Sequence, residues 1–102
     1  MPFPPYHPAI LLGTQSVVGQ NREHILWHAY ATDDAPETVA AFYQRALGDT
    51  GRTVMGQEAI WRLPAEALHI LPISADGPHL VFRDAWPASA QTAIIISQMS
   101  RP

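Results

Sequence analysis

The sequence contains neither cysteine nor lysine, and charged residues make up only 15% of its 102 residues. Without cysteine, the chain cannot form disulfides, iron–sulfur clusters, thiolate active sites or cysteine-based zinc sites. The formal charge of −3 comes from nine acidic residues and six arginines, which are scattered along the chain. Because no basic stripe is available for phosphate groups, we expect no nucleic-acid partner.

Long hydrophobic runs are also missing. The apolar stretch nearest the N-terminus extends only from Ala9 to Leu12, and no basic segment precedes it. Such a stretch is too short for a membrane span or a signal peptide, so we expect a cytoplasmic protein without membrane contact. Nevertheless, 47% of the residues are hydrophobic. This share is enough for one folded domain, and the low charge favours an exposed apolar patch.

One amphipathic helix is predicted over about residues 35–47, because its apolar residues repeat at the spacing of one helical face. These residues are Val39, Phe42, Tyr43, Ala46 and Leu47. Asp34 and Glu37 have the spacing of a capping box at the helix start, and Gly48 is placed to end the helix. The helix is the most strongly marked element of the sequence.

Alternating or β-branched segments predict strands over residues 24–31, 58–63, 67–73 and 92–99, and a short strand over 79–83. The run of three isoleucines at 94–96 is typical of a strand covered on both faces, so the last strand is expected in the middle of the sheet. The predicted fold is therefore α+β, with one helix on one face of a mostly antiparallel sheet of four to five strands.

The N-terminal part is predicted to be an extended arm over residues 1–23, followed by a single α+β domain over 24–102. Pro2, Pro4, Pro5 and Pro8 exclude a helix at the start of this arm. Short strand pieces are possible at residues 10–12 and 16–18. A thirteen-residue helix is about 20 Å long and covers only part of one sheet face. The other face is expected to be covered by the arm or by a second copy of the chain.

Histidines are the residues from which metal binding or catalysis can be argued. His28 and His69 are the candidate metal ligands, because they fall on different predicted strands and could meet across them. The alternative is that each is a half-exposed strand residue that makes one hydrogen bond. No HExxH, GxSxG or phosphate-binding loop occurs. We therefore predict no catalytic residue and no cofactor.

Four aromatic residues are candidates for a partner or ligand surface. Phe3 and Tyr6 lie in the proline-rich arm, Tyr30 lies on the first predicted strand, and Trp86 lies beside a proline in a loop. Phe3 and Tyr6 are alternatively expected to pack on the domain. The arm also has PxxP spacing, which leaves open a role for it in binding a regulatory partner.

The run ATDDAPETVAAFYQRALG, followed by IWRLP and ALHILPI, resembles the first βαβββ module of the vicinal-oxygen-chelate superfamily, which includes glyoxalases and bleomycin-resistance proteins. This resemblance covers roughly residues 24–82. It implies a small-molecule-binding or metal-dependent module completed by dimerisation, with His28 at the position of a first-strand metal ligand. The chain also resembles a short strand-helix-three-strand domain of uncharacterised bacterial proteins, a resemblance that extends to TAIIISQM and implies no activity.

These features favour a small non-enzymatic binding or dimerisation domain, whose partner is a second copy of the chain or another protein. The low charge, the single helix and the absence of a chemical motif support this interpretation. The alternative is the glyoxalase-like module, which depends on His28 and the FYxxxLG helix.

Overall fold

A computed structural model describes residues 3–7, 9–73 and 89–100. In these ranges the chain forms one helix and a six-stranded antiparallel sheet. The elements in chain order are β1 (Ile10–Val18), β2 (His24–Thr32), α1 (Pro36–Leu47), β3 (Arg52–Met55), β4 (Glu58–Arg62), β5 (Glu66–Pro72) and β6 (Thr92–Ser100). The predicted α+β class is confirmed. The strand predicted over residues 79–83 lies outside the described residues.

The last strand in sequence occupies the middle of the sheet. The spatial order is β1-β2-β6-β5-β4-β3, so β6 pairs with β2 on one side and with β5 on the other. Ile94 and Ile96 are buried, and Ile95 between them is half-buried on the opposite face. The central position predicted from the isoleucine run is therefore confirmed.

The prediction of four to five strands was wrong, because the sheet has two further edge strands, β1 and β3. β1 is one continuous strand. Its pairing with β2 runs from Ile10 to Val18, and the register shifts between Leu11 and Gly13. That shift accommodates one extra residue as a bulge. The two short pieces predicted on either side of Gly13 therefore belong to the same strand. At the other edge of the sheet, β3 is exposed along its whole length.

Helix α1 begins at Pro36 and ends at Leu47, close to the predicted bounds. The predicted capping box was wrong: Ala35 is the N-cap residue, and no side chain caps the first turn. The C-terminal prediction holds, because the Gly48 N–H donates to the Gln44 carbonyl at 2.9 Å. Across the described ranges, no helix has the length and apolarity needed to cross a membrane.

The first residues of the chain pack on the helix-bearing side of the sheet. Phe3 is 1% exposed, and the Tyr6 ring meets Phe42 of α1 edge-on, with a centroid separation of 5.2 Å. The Tyr43 hydroxyl donates to the Pro4 carbonyl at 2.8 Å. These contacts confirm that Phe3 and Tyr6 pack on the domain. They also show that residues 3–7 do not cover the opposite face of the sheet, which was one of the two expected covers.

The core between α1 and the sheet is built from large apolar side chains of both layers. Val39 and Tyr43 supply the helix side, whereas Ala46, predicted to face the core, is exposed. Trp61 is 1% exposed, and its Nε1–H donates to the Gly48 carbonyl at 2.9 Å. This bond ties β4 to the end of α1.

Candidate functional site

The pairing register determines which side chains share a face of the sheet. Opposed residues of antiparallel strands point to the same side, and successive residues of one strand point to opposite sides. Tyr30 is opposite Ile94, in the core below α1, so both lie on what we call the helix face. Trp27 is opposite Ser97, which lies an odd number of positions from Ile94. Trp27 and Ser97 therefore lie on the other side, which we call the open face.

A hollow of about 430 Å³ occupies the middle of the open face. Strands β2, β4, β5 and β6 all contribute to it. The lining residues are Trp27, Ile60, Arg62, Ala67, His69, Ile95 and Ser97. Apolar surface predominates in this lining, and Trp27 and Ile95 are only half-buried. The hollow therefore exposes apolar side chains that a partner could cover.

One hydrogen-bonded pair borders this hollow. The His69 Nε2 atom lies 2.8 Å from the Glu58 Oε1 atom, across neighbouring strands β5 and β4. Both side chains are partly exposed, so the pair contributes only a small amount to stability. Arg62 lies on the same strand and the same face as Glu58 and is exposed. The open face thus carries the Arg62 guanidinium in the lining of the hollow and the Glu58 carboxylate beside it, within a mainly apolar surface.

The two candidate metal ligands do not come together. His28 is opposite Ile96, whereas His69 is opposite Ile95, so their side chains lie on opposite faces with β6 between their strands. His28 instead places its Nδ1 atom 3.1 Å from the Thr14 Oγ1 atom on β1. A single ion cannot bind both imidazoles in this arrangement. More generally, the described part of the chain holds no group of three metal-ligating side chains.

Three of the four aromatic candidates line one cavity. Phe3, Tyr6 and Tyr30 border a volume of about 240 Å³ between the arm and the helix face. The fourth candidate, Trp86, lies outside the described residues. The sequence singled out these aromatics individually, but it gave no reason to expect the arm to meet Tyr30.

The two phenols that close this cavity are already hydrogen-bonded. Tyr6 donates to the Asp34 carboxylate, and Tyr43 donates to the Pro4 carbonyl. Burial is the main cause that raises the pKa of each phenol to about 12, and for Tyr6 the bond to Asp34 adds to this effect. Both groups are therefore neutral near pH 7.

Of the residues that line the open-face hollow, the sequence singled out only His69, and it did so as a candidate metal ligand. It assigned no functional role to Trp27 or Ser97. One signal was present, because Ser97 follows three isoleucines and marks the less buried side of β6. Comparison with protein-family models, with curated proteins and with solved structures gives no match for this chain.

Proposed function

We propose that this protein is a small non-enzymatic domain that forms a homodimer through the open face of its sheet. The single observation that carries the proposal is the position of the N-terminal arm, by which we now mean the residues that precede β1 (Ile10–Val18). Residues 3–7 pack on the same side as α1, so among the described residues neither the helix nor the arm covers Trp27 and Ile95.

The charged residues of the open face favour a second copy of the chain as the binding partner. Arg62 and Glu58 project from β4 on this face, one cation and one anion four residues apart, with Glu58 also hydrogen-bonded to His69. In such a dimer the open faces of the two copies meet, and the two-fold axis lies between them, perpendicular to the strands and near Ile60. This symmetry places Arg62 of each copy opposite Glu58 of the other. In a symmetric dimer the same patch meets itself, so such an arrangement is self-complementary.

The size of the face determines how strong this dimer is expected to be. Six strands at a spacing of about 4.8 Å, with roughly five residues of each at about 3.3 Å per residue, give a projected area on the order of 500 Å² per copy. Two such faces bury on the order of 1,000 Å² in total, which is at the low end for protein interfaces. We therefore expect a weak dimer that dissociates on dilution.

Matched serine substitutions on the two faces test this proposal. Ser97 is opposite Trp27, whereas Ser16 is opposite Leu26, so the two serines lie on opposite faces. Ser97→Lys places a charge and a long side chain in the hollow, and Ser16→Lys makes the same chemical change on the other side. Sedimentation velocity over a range of protein concentrations measures the monomer–dimer equilibrium, and circular dichroism checks that both variants fold.

The expected result is a concentration-dependent dimer for the wild type and for Ser16→Lys, and a monomer for Ser97→Lys. A wild type that remains monomeric at every concentration contradicts the homodimer. A Ser97→Lys variant that dimerises as well as the wild type contradicts the use of the open face.

A further inference from the structure

The cavity below the arm, on the opposite side of the sheet from the proposed dimer contact, has the properties of a ligand site. Its volume is about 240 Å³. One wall is the arm, where Phe3 and Tyr6 are buried, and the other wall consists of Tyr30, Ile94 and Ile96 on the sheet. The space therefore lies between two separate segments of the chain.

Among the described residues, the inner walls of this cavity hold no carboxylate and no guanidinium. The hydroxyls of Tyr6 and Tyr43 are used by Asp34 and by the Pro4 carbonyl, so neither needs a ligand to satisfy it. Both phenols keep their protons at neutral pH, and burial raises each pKa further, from 10.0 to about 12. His7, which is exposed, lies at the rim. The interior therefore offers contact surface and very few polar groups.

Size and polarity together define the class of ligand. An engineered protein cavity of about 150 Å³ with apolar walls stays free of water and binds benzene. The present cavity is larger, so it has room for one aromatic ring with a short substituent. The Asp34 carboxylate, which accepts the bond from Tyr6, lies directly behind the wall. This negative charge disfavours an anionic ligand.

The packing energetics also favour an occupant. An unfilled apolar cavity lowers the free energy of unfolding in proportion to its volume, because the lining atoms lose dispersion contacts on one side. A molecule that fills the space restores these contacts and stabilises the folded state by mass action.

We propose that the cavity between the N-terminal arm and the helix face binds a small, uncharged, mainly apolar molecule, such as a single aromatic ring with a short substituent. The arm supplies one wall of the site, so the ligand would lie between the arm and Tyr30, above the buried side chains of Phe3 and Ile94. This inference does not depend on dimerisation, because the open face lies on the other side of the sheet.

The test is a titration with toluene and 4-methylphenol, with benzoate as the anionic comparison. The readout is the set of isoleucine methyl signals in two-dimensional NMR. Ile94 and Ile96 line the cavity, whereas Ile95 points to the open face and serves as the internal control. We expect saturable shifts at Ile94 and Ile96 with both uncharged probes, and much smaller shifts with benzoate.

A pair of alanine substitutions locates the binding site. Ala9 lines the cavity and is only partly buried, so Ala9→Leu fills part of the space with little risk to folding. Ala46 is exposed on α1, and Ala46→Leu is the matched control. We expect Ala9→Leu to weaken binding about tenfold or more, and Ala46→Leu to leave it unchanged.

Three outcomes overturn the proposal. The first is the absence of a saturable shift with either uncharged probe. The second is a shift confined to Ile95, and the third is binding by Ala9→Leu that equals the wild type. Sedimentation of the same samples reports the dimer separately, so failure of one proposal can be distinguished from failure of the other.

Discussion

The phenol of Tyr6 donates a hydrogen bond to the carboxylate of Asp34, and this contact joins the N-terminal arm to the segment that leads into α1. The backbone of Asp34 is held as well, since its N–H donates to Thr32 Oγ1 at 3.3 Å and its carbonyl accepts from Thr92 Oγ1 at 2.6 Å. The same residue thus connects the arm, the end of β2 and the start of β6. Its side chain is consequently not available to cap the helix.

The first prediction concerns this contact. Tyr6→Phe removes the hydroxyl and keeps the ring, so we expect the free energy of unfolding to fall by about 1.5–3 kcal/mol, as for a hydrogen bond to a charged group. A double-mutant cycle with Asp34→Ala, measured by urea unfolding, isolates the pairwise contribution. A coupling energy of at least about 0.5 kcal/mol is expected, whereas additive effects would show that the two side chains act independently.

The second prediction concerns alkaline pH. The pKa values of Tyr6 and Tyr43 rise from an ordinary value of 10.0 to about 12 in the folded chain. Between pH 10 and pH 12 the folded state therefore binds more protons than the unfolded state. The stabilisation from both phenols is complete below pH 10 and is lost as the pH rises towards 12, so the free energy of unfolding falls across this window.

Tyr43→Phe provides the comparison for this pH profile. The variant keeps the ring but has one titrating phenol fewer, so its unfolding free energy is expected to fall less steeply between pH 10 and pH 12. Urea unfolding at several pH values measures both slopes. If the unfolding free energy of the variant and of the wild type falls equally steeply with pH, the Tyr43 phenol does not contribute to the pH dependence.

The third prediction compares two glycines with positive φ near β3 and β4. A Cβ atom on Gly51 would lie 2.3 Å from the Arg62 carbonyl oxygen, whereas one on Gly56 would meet nothing within 4 Å. Gly56→Ala is expected to cost about 1–2 kcal/mol from backbone conformation alone. Gly51→Ala is expected to cost more, because the Arg62 backbone must also move.

Thermal or urea unfolding of the two glycine variants measures this difference. The Arg62 N–H donates to the Gly51 carbonyl at 2.9 Å, so displacement of Arg62 also weakens the contact between the turn and β4. Equal destabilisation by the two substitutions would contradict the close approach of Gly51 to Arg62.

The fourth prediction concerns the two histidines considered as metal ligands. His28 and His69 lie on opposite faces, and within the described ranges they share no hydrogen-bond partner. We therefore measure the free energy of unfolding of His28→Ala, His69→Ala and the double variant in the presence of zinc. The loss in the double variant is expected to equal the sum of the two single losses within about 0.5 kcal/mol. The cycle of His69→Ala with Glu58→Ala is the positive control, with a coupling of up to about 1 kcal/mol. Zinc-dependent coupling between His28 and His69 would contradict this geometry.

Local sequence patterns predicted the elements whose conformation is set mainly by residues nearby in the sequence. Val39 and Tyr43 face the core at helical spacing, and the isoleucine run of β6 marks a strand that is paired on both edges, with β2 and with β5. Edge strand β1 was harder to predict. Gly13 and the polar residues Thr14 and Gln15 interrupt its apolar pattern, and its continuity depends on the pairing with β2.

Features that depend on distant residues could not be predicted from the sequence. Asp34 has the spacing of a helix cap, but its carboxylate accepts a hydrogen bond from a tyrosine 28 positions earlier. The separation of His28 from His69 depends on one position of register along β6. The cavity lined by Phe3 and Tyr30 likewise depends on the direction in which the arm folds, and no local pattern contains that information.

The central position of β6 has a consequence for how the protein is made. Within the described sheet, the hairpin of β1 and β2 reaches the strands β5, β4 and β3 only through β6. During synthesis these two groups of strands leave the ribosome before the strand that joins them. The complete sheet can therefore assemble only after residues 92–100 have emerged, and its long-range pairing favours slow folding.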